Sequence, residues 1–406
     1  MRLLVLTTSY PSSTYPHSGV FVRRMLERLP EDIQITVLTP GLDRTVFFES
    51  DKKRIVTHAF RYAPRAWQTL AHGPGGLPVA LRNRPWQWAL VPFFCMAMLW
   101  NTICLARRVD LIHAHWSVCG VIAGLAGRLM GVPVVTTLRG EDVTKAEAGL
   151  LYQAVIRWCG VLNDQIVTVG QTMADRVGRW LSAKAARVTV VANGAGGWFG
   201  TMASRADDQG FTLAVIGNLI PRKKVDSVVR ALAILAGHTL SIRLFIVGEG
   251  PERAPLEALT GRLGLAGQVV FTGSLAPERV QDLLVRCHAM VLASRSEGRP
   301  NVVLEAMAAG VPVVAGDIAG VRELIAHQER GLLFPAGDER RLAAHLRSLM
   351  DDPALGRRLA ANARQWLDDQ GLTWENTARR YADIYRQVLR RQIIRRQVLR
   401  QRRDRN

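Results

Sequence analysis

The chain has 406 residues, of which 48% are hydrophobic and 21% charged, and a formal net charge of +19. This composition excludes a disordered chain and suffices for two domains with full cores. Residues 1–200 carry 22 Lys and Arg against 12 Asp and Glu, residues 201–385 carry 22 against 21, and residues 386–406 carry 9 against 1. The basic character therefore belongs to the first half of the chain and to its tail.

Cysteine usage and the start of the chain indicate a cytoplasmic protein. The five cysteines are scattered without the spacing of metal ligands, so we expect reduced thiols and no bound metal. Met1 and Arg2 lead directly into LLVLTT, an apolar run too short for the core of a secretory signal.

The first half alternates short apolar runs with helical patterns. Continuous β-branched runs predict strands buried on both faces, and they cover residues 3–8, 33–39, 110–115, 132–138, 164–170 and 187–193. Helical patterns such as VFVRRMLERL and VIAGLAGRLM lie between several of them. This alternation predicts a parallel sheet with crossover helices.

One apolar segment, WQWALVPFFCMAMLWNTICLARR at residues 86–108, is about as long as a membrane span. Gln87, Pro92 and Asn101 interrupt it, and it leads directly into the strand-like VDLIHAH. We expect a buried crossover helix. The alternative is a helix whose apolar face dips into a membrane.

The stretch NGAGGWFGTMASRADDQG, residues 193–210, lacks an apolar period and predicts an interdomain linker. Strand and helix patterns then restart, from FTLAVIG to ERRLAAHLRSLM. We therefore predict an α/β fold of two doubly wound, Rossmann-like domains facing a cleft, with ligands outside the carboxyl ends of the strands. The expected bounds are residues 1–195 for the first domain, 196–210 for the linker and 211–372 for the second domain.

A helix over residues 373–390 is expected to pack back toward the first domain, and a polybasic tail is expected over residues 391–406. The tail repeats RQVLR, RQIIR and RQVLR. Five residues advance roughly 140° around an α-helix, so the apolar pairs form no single stripe, which argues against an interfacial amphipathic helix. We expect a polybasic extension of the last helix that frays into disorder. It either contacts anionic lipid or is a solvated end without a partner.

The stretch SRSEGRPNVVLEAMAAGVPVVA at residues 294–315 predicts a loop after a strand, followed by a helix that Pro300 and Asn301 open. The first N–H groups of a helix lack intrahelical partners and favour a diphosphate. Glu297 in the loop can accept hydrogen bonds from sugar hydroxyls, and Glu305, about one turn inside the helix, from a ribose diol. The alternative is an ordinary crossover helix whose glutamates face water.

Two further loops follow predicted strands. In IGNLIPRKKVD the strand ends at Gly217, and Asp226 is the expected N-cap of the next helix. Between them lie Arg222, Lys223 and Lys224, cations that can neutralise a diphosphate leaving group. The alternative there is a solvated basic loop. In TTSYPSSTYPHSGVFVRRM, Gly19 opens a helix and permits close approach of a ligand to the backbone.

Together SEGRPNVVLEAMAAGVPVV, IGNLIPRKK, IVGEGPE, YPSSTYPHSGVFVR and HAHW…VVTTLRGED resemble the retaining GT-B glycosyltransferases with the glycosyl transferases group 1 signature. The resemblance extends from Met1 to about Tyr385. It implies transfer of a sugar from a nucleotide diphosphate sugar with retention of configuration, the donor on the second domain and the acceptor on the first. It implies no cofactor besides the donor and no metal.

Residues that match the family's donor site are Gly19, Gly217, Arg222, Lys223, Gly273, Glu297, Asn301, Val302 and Glu305. By this resemblance Lys223 contacts the diphosphate, Glu297 the donor sugar and Glu305 the ribose, and we expect Glu297 and Lys223 to be catalytic. The backbone near Asn301 and Val302 would hold phosphate oxygens. The loop at Gly19 would close over the diphosphate, and the loop at Gly273 would contact the base.

Three departures from the family pattern leave the donor sugar open. Asn218 stands where the family often has Arg, Arg139 replaces the usual His after VVTTL, and NGAGG lacks the frequent Asp. On the acceptor or sugar side we expect His115, Trp116 and Arg139, with Trp116 offering a stacking face. The alternative for the histidines at this strand end is packing and local hydrogen bonding.

The sequence thus predicts a hexosyltransferase acting on a glycan or lipid-linked acceptor in bacterial surface polysaccharide synthesis. The basic first half, the basic tail and the apolar segment predict a peripheral position at an anionic inner membrane surface. One alternative is another GT-B enzyme, such as a nucleotide-sugar epimerase. A non-enzymatic basic scaffold or nucleic-acid-binding protein fits less well, because the second half is neutral and no aromatic-basic strip is present. A dehydrogenase fits least, because VGEGPE lacks the third glycine of GxGxxG.

Overall fold

The computed structural model describes residues 1–12, 18–41, 45–50, 53–71, 76–181, 188–196, 210–235 and 241–403. The chain divides into two compact units, one formed by Met1–Ala192 with Trp374–Asn406 and the other by Asn193–Thr373. The first unit ends at Ala192 and not at residue 195, because Asn193 and Ala195 are hydrogen-bonded to Asn301 and Leu372 of the second unit. Residues 197–209 of the predicted linker lie outside the described residues.

The first unit is a sheet covered by helices on both faces. Its described strands are β1 Arg2–Leu6, β2 Gln34–Pro40, β3 Thr45–Ser50, β4 Lys53–Phe60, β5 Leu111–His115, β6 Val134–Leu138, β7 Gln165–Thr168 and β8 Val188–Val190. Its described helices are α1 Val20–Glu27, α2 Gly76–Asn83, α3 Val91–Ala106, α4 Ser117–Met130, α5 Glu141–Ala148, α6 Leu150–Leu162, α7 Gln171–Leu181 and the C-terminal helix Trp374–Arg403.

The strands of this unit pair in the order β3-β4-β2-β1-β5-β6-β7-β8. The pairs from β4 to β8 are parallel, as predicted, and β1 is fully buried from Leu3 to Leu6. The β3–β4 pair is antiparallel and was not predicted. An antiparallel pair at the edge of a parallel sheet is common. Its two strands are joined without a crossover helix, so the strand–helix alternation that marks the parallel strands is missing here.

The apolar segment is a crossover element, but most of it is not buried. A 3-10 helix at Pro85–Leu90 leads into α3. Phe94 and Met98 are fully buried against the sheet, whereas Phe93 is 55% exposed and Trp100 is 68% exposed. Residues 85–106 are long and apolar enough to cross a membrane by length and composition alone, with a mean hydropathy of 1.8 and 28% buried. The expectation of a buried helix is therefore wrong for the outer side of α3.

The C-terminal helix belongs to the first unit and continues without a break through Arg403. Trp374, Tyr381 and Tyr385 are at most 1% exposed and share a core cluster with Met25 of α1. The hydroxyl of Tyr385 lies 2.7 Å from Nδ1 of His113. The tail is therefore helical up to Arg403, and the expectation that it frays into disorder is wrong for residues 391–403. Residues 404–406 lie outside the described residues.

The second unit repeats the doubly wound plan. Its described strands are β9 Phe211–Ile216, β10 Ile242–Val247, β11 Val269–Gly273, β12 Ala289–Leu292, β13 Val313–Gly316 and β14 Leu332–Phe334. Its described helices are α8 Val225–Leu235, α9 Arg253–Arg262, α10 Pro277–Leu284, α11 Asn301–Ala308, α12 Ala319–Arg322, α13 Glu339–Asp351 and α14 Pro353–Asp369.

The strands of the second unit are all parallel in the order β11-β10-β9-β12-β13-β14. The order reverses between β9 and β12, whose carboxyl ends lie side by side. In open α/β sheets, ligands bind outside the carboxyl ends of the strands at such a switch point. The prediction of two Rossmann-like α/β domains is confirmed.

We predict that the C-terminal helix is needed for the stability of the first unit. Replacing Tyr385 by Ala should lower the free energy of unfolding by about 3 to 5 kcal/mol, because it leaves a large cavity. Arg380→Ala, on the exposed side of the same helix, should change it by less than about 0.5 kcal/mol. Guanidinium unfolding followed by fluorescence measures both variants, and equal midpoints would contradict this packing.

Candidate functional site

Three loops at the carboxyl edge of the second sheet are joined by backbone hydrogen bonds. Gly217 N donates to Val247 O, and Gly248 N donates to Gly273 O, each at 2.9 Å. Gly248 has a φ of 139°, and a Cβ there would lie 2.0 Å from Gly217 O. Only glycine permits this approach. The structure therefore brings together the predicted loops of Gly217 and Gly273.

The basic loop after β9 separates its two lysines. Pro221–Lys223 form a 3-10 turn, and Lys224 follows in the left-handed conformation with a φ of 50°. Nζ of Lys224 lies 2.8 Å from Oδ2 of Asp226. Helix α8 begins at Val225, so Asp226 lies in its first turn and is not the predicted N-cap. Because Lys224 is turned toward Asp226, only the preceding cations face the next loop.

Those cations hold the carboxylate of Glu297. Nζ of Lys223 lies 2.7 Å from Oε1 of Glu297, and Nη1 of Arg222 lies 3.5 Å from Oε2. The Glu297 side chain is 11% exposed and that of Lys223 is 17% exposed. Burial favours the neutral acid, but the two cations outweigh it and hold the pKa of Glu297 below its ordinary value. The group is therefore a carboxylate in a positively charged setting.

The loop that carries Glu297 is held by contacts with neighbouring elements of the second unit. A Cβ on Gly320 would lie 2.3 Å from Glu297 O, so α12 lies directly against this loop. Arg295 N donates to Arg222 O at 3.0 Å. Nη1 of Arg299 lies 3.2 Å from Oε2 of Glu323 in a buried ion pair. These contacts hold the loop of Glu297 in place.

Helix α11 begins directly after this loop. Asn301 is its first residue. Pro300 precedes it and provides no side-chain cap. Oδ1 of Asn301 accepts a hydrogen bond from Asn193 Nδ2 at 2.8 Å. Val302 and Glu305 are half-buried in the first turns. Val303 N donates to Pro300 O at 3.2 Å, whereas the first two N–H groups, of Asn301 and Val302, precede any intrahelical acceptor and lie at the positive end of the helix dipole. Such a helix start attracts anions.

A second cluster lies at the carboxyl ends of β5 and β6 in the first unit. Nη2 of Arg139 lies 3.1 Å from Nδ1 of His115, and its guanidinium lies 4.7 Å from the ring centre of Phe21. Phe21 also meets Trp116 edge to face at 6.1 Å. Burial, with the nearby His113 and Arg139, lowers the pKa of His115 well below its ordinary value. The structure therefore brings His115, Trp116 and Arg139 together, with His115 neutral.

The neighbouring His113 is part of the core. It is fully buried, and its ring lies between the hydroxyls of Tyr385 and Thr137, at 2.7 and 2.8 Å. For this histidine the packing alternative is correct. Its partner Tyr385 lies on the C-terminal helix, far along the chain, and no local pattern could have shown it.

Gly19 caps α1 as predicted. Its φ is 66°, and a Cβ would lie 2.1 Å from Ser9 O. The chain therefore requires glycine for the close approach of the two segments. Residues 13–17 of the same loop lie outside the described residues, so the loop's expected closure over a diphosphate stays a prediction.

Two residues that shape the site, Asn193 and Gly248, were not predicted from the sequence. Asn193 appeared only as the start of a linker, yet its side chain reaches the first residue of α11. Gly248 belongs to VGEGPE, where the unusual glycine spacing was the available signal. In the described part of the chain, no group of three or more His, Cys, Asp or Glu could hold a metal ion.

Each half of the chain matches a known family model. Residues 202–366 match the family model for glycosyl transferases group 1, and residues 18–195 match the model for Glycosyltransferase Family 4. The chain therefore carries two glycosyltransferase domains, in the order that the sequence predicts. It is 31% identical over 255 residues to the glycogen synthase of Mycobacterium tuberculosis. That match spans 61% of this chain and 61% of the synthase.

Solved structures show the same fold. The sucrose-phosphate synthase of Thermosynechococcus elongatus superposes with a TM-score of 0.78 at 22% identity, covering 96% of this chain and 99% of that one. Anabaena HepE in complex with UDP-glucose gives a TM-score of 0.72 at 18% identity, covering 95% and 99%. The chain is a GT-B protein, and the predicted fold class is confirmed.

The Glu297 ion pair predicts a pH-dependent stability. A carboxylate whose pKa is lowered by folding stabilises the protein above its unfolded value of about 4.3, and this contribution is lost as the pH falls through the folded value. The melting temperature of the wild type should therefore exceed that of Glu297→Gln near pH 7. The difference should shrink below about pH 4. A difference that stays constant from pH 7 to the acid limit would contradict the ion pair.

Proposed function

We propose that the protein transfers a sugar from a nucleotide diphosphate sugar to an acceptor, with retention of anomeric configuration. The observation that carries this proposal is the Lys223–Glu297 pair beside the start of α11. It combines a cation for a diphosphate, a carboxylate for hydroxyls and free helix N–H groups at one point of the sheet. The match of residues 202–366 to glycosyl transferases group 1 and the UDP-glucose bound by HepE support the same donor class.

We propose for the donor groups of the second unit the roles that the family resemblance implies. Lys223, assisted by Arg222, neutralises the diphosphate, and the backbone N–H groups at Asn301 and Val302 bind its oxygens. Glu297 accepts hydrogen bonds from the transferred sugar. Glu305, one turn along α11, accepts hydrogen bonds from the ribose.

The loops at Gly217 and Gly273 complete the donor side. Both are held by backbone hydrogen bonds at the carboxyl edge of the sheet. Gly217 lies next to Lys223, because a Cβ at this position would be in van der Waals contact with Nζ at 3.6 Å. Gly273 faces the base of the nucleotide in this proposal.

The proposed reaction requires little covalent chemistry from the protein. In the proposed reaction the bond between the anomeric carbon and the diphosphate breaks, and the acceptor oxygen attacks from the same face. Positive charge develops on the sugar ring, and negative charge on the leaving phosphate, which takes the acceptor's proton. The chain contributes positioning and charge stabilisation at the phosphate through Lys223 and the start of α11.

We propose that the acceptor is a glycan on a lipid carrier, used in surface polysaccharide synthesis at the inner face of the membrane. Its side of the reaction is assigned to His115, Trp116 and Arg139. Trp116 offers a ring face for sugar stacking, and Arg139 a guanidinium for polar groups. The basic first half of the chain supports an acceptor whose carrier is anionic.

We predict that Lys223→Ala and Glu297→Ala each reduce turnover at least about tenfold, equivalent to about 1.4 kcal/mol of barrier. The matched control is Lys224→Ala, which removes a neighbouring lysine that is turned to Asp226. This control should keep turnover within about twofold of the wild type. Wild-type turnover in Lys223→Ala would contradict the assignment. Release of a free epimerised sugar nucleotide without acceptor glycosylation would favour an epimerase instead.

We also predict selective stabilisation by nucleotide diphosphates. A ligand that binds only the folded chain raises its stability by about 2.7 kcal/mol at a hundredfold excess over Kd. A thermal-shift series with UDP, GDP, ADP and their sugars should show a rise in melting temperature for one nucleotide. The rise should be smaller in Lys223→Ala and retained in Lys224→Ala. No rise with any member of the series would contradict a nucleotide-sugar site.

A further inference from the structure

Helices α3, α4 and α6 form one layer over the same face of the first sheet. The inner sides of α3 and α4 cover residues such as Leu4, Ile112 and Val134, and the inner side of α6 packs with Leu138 and Ile166. The helices are closely joined: a Cβ on Gly120 of α4 would lie 2.9 Å from Sγ of Cys159 on α6. Their outer sides therefore form one continuous surface of the first unit.

That outer surface is apolar, and we call it the apolar helix face. It is defined by large side chains that are 44–73% exposed, namely Phe93, Met96, Trp100, Leu125, Leu129, Leu151 and Trp158. On α3 the exposed positions 93, 96 and 100 follow the helical period and make one stripe. Contiguous exposed apolar patches of this kind mark interaction surfaces.

The charged residues within these three helices are all basic. None of the helices α3, α4 and α6 contains an Asp or a Glu. The stripe of α3 ends at the exposed pair Arg107 and Arg108. The basic end of the C-terminal helix lies at the border, because Nη2 of Arg396 donates to Gly131 O at 2.6 Å, two residues beyond Leu129. The face is therefore apolar at its centre and basic at its edge.

We propose that the apolar helix face is a membrane-docking surface that seats on an anionic lipid bilayer. Tryptophan side chains prefer the interface between lipid and water, and basic residues beside them are attracted to anionic headgroups. Trp100 and Trp158 supply the first feature, and Arg107, Arg108 and Arg396 supply the second. This proposal goes beyond the sugar transfer and stands whichever sugar and acceptor the protein uses.

The helix α3 lies in the interface and does not cross the bilayer. Phe94 and Met98 on its inner side are fully buried against the sheet, and crossing would expose the core of the first unit. A second copy of the chain fits the face less well, because two such faces would oppose basic edges of the same sign. An anionic bilayer complements both the apolar centre and the basic edge.

Vesicle co-sedimentation of the full chain tests the proposal. We expect binding to vesicles of phosphatidylglycerol mixed with phosphatidylcholine, weaker binding at about 0.5 M salt, and little binding to phosphatidylcholine alone. The double variant Phe93→Glu/Trp100→Glu should lower the bound fraction at least tenfold. The matched control Ile234→Glu alters a side chain that is 48% exposed on α8 of the second unit and should bind like the wild type.

Two further readouts separate this proposal from its competitors. The double variant should keep the far-UV spectrum of the wild type and its thermal shift with the nucleotide, so that loss of vesicle binding is independent of the donor site. Equal sedimentation of double variant and wild type would overturn the proposal. So would a wild-type dimer in light scattering that the double variant dissociates, because the face would then be covered by a second copy.

Discussion

The ion pair between Glu297 and Lys223 is the interaction on which the site depends. It joins the loop after β9 to the loop after β12, the two strands between which the order of the second sheet reverses. Both side chains are mostly buried, so the attraction acts in a setting where water screens it little. The buried Arg299–Glu323 pair and the contact with Gly320 fix the same loop from behind. These contacts between the protein's own groups order the site.

This order has a chemical consequence. Lys223 already faces an anion, the carboxylate of Glu297, and a diphosphate placed at the start of α11 would offer it a second one. The lysine could then contact both anions, and Glu297, whose pKa is lowered by the adjacent cations, stays ionised and able to accept hydrogen bonds from sugar hydroxyls. The neighbouring Lys224 is turned away toward Asp226, which shows how one left-handed residue assigns two adjacent lysines to different partners.

Much of the fold could be predicted because buried parallel strands give continuous apolar runs, as at β1, β9 and β12. The start of α11, Gly19 and the loop cations were recognisable because each depends on neighbours a few residues away. The features that could not be predicted from the sequence depend on contacts between residues far apart in the chain. The three-residue strand β14 and the antiparallel β3–β4 pair have little local signal, and the role of His113 depends on Tyr385. Hydropathy showed that α3 is apolar. Whether another element covers its outer side depends on the tertiary structure and could not be predicted from hydropathy.

The two units differ in a way that fits a division of labour. The second unit is nearly neutral and concentrates its few useful charges at the ends of β9 and β12. The first unit combines basic edges with the apolar helix face and a neutral His115 next to Arg139. If both proposals hold, small-molecule binding uses ordered ion pairs in the second unit, and surface attachment uses exposed apolar area in the first.

The most direct measurement is a crystal structure of the chain with a nucleotide diphosphate sugar that stabilises it. We expect the diphosphate within hydrogen-bond distance of Nζ of Lys223 and of the backbone N–H groups of Asn301 and Val302, with Glu297 on the sugar and Glu305 on the ribose. A compound bound elsewhere, with Lys223 engaged only by Glu297, would contradict the central claim.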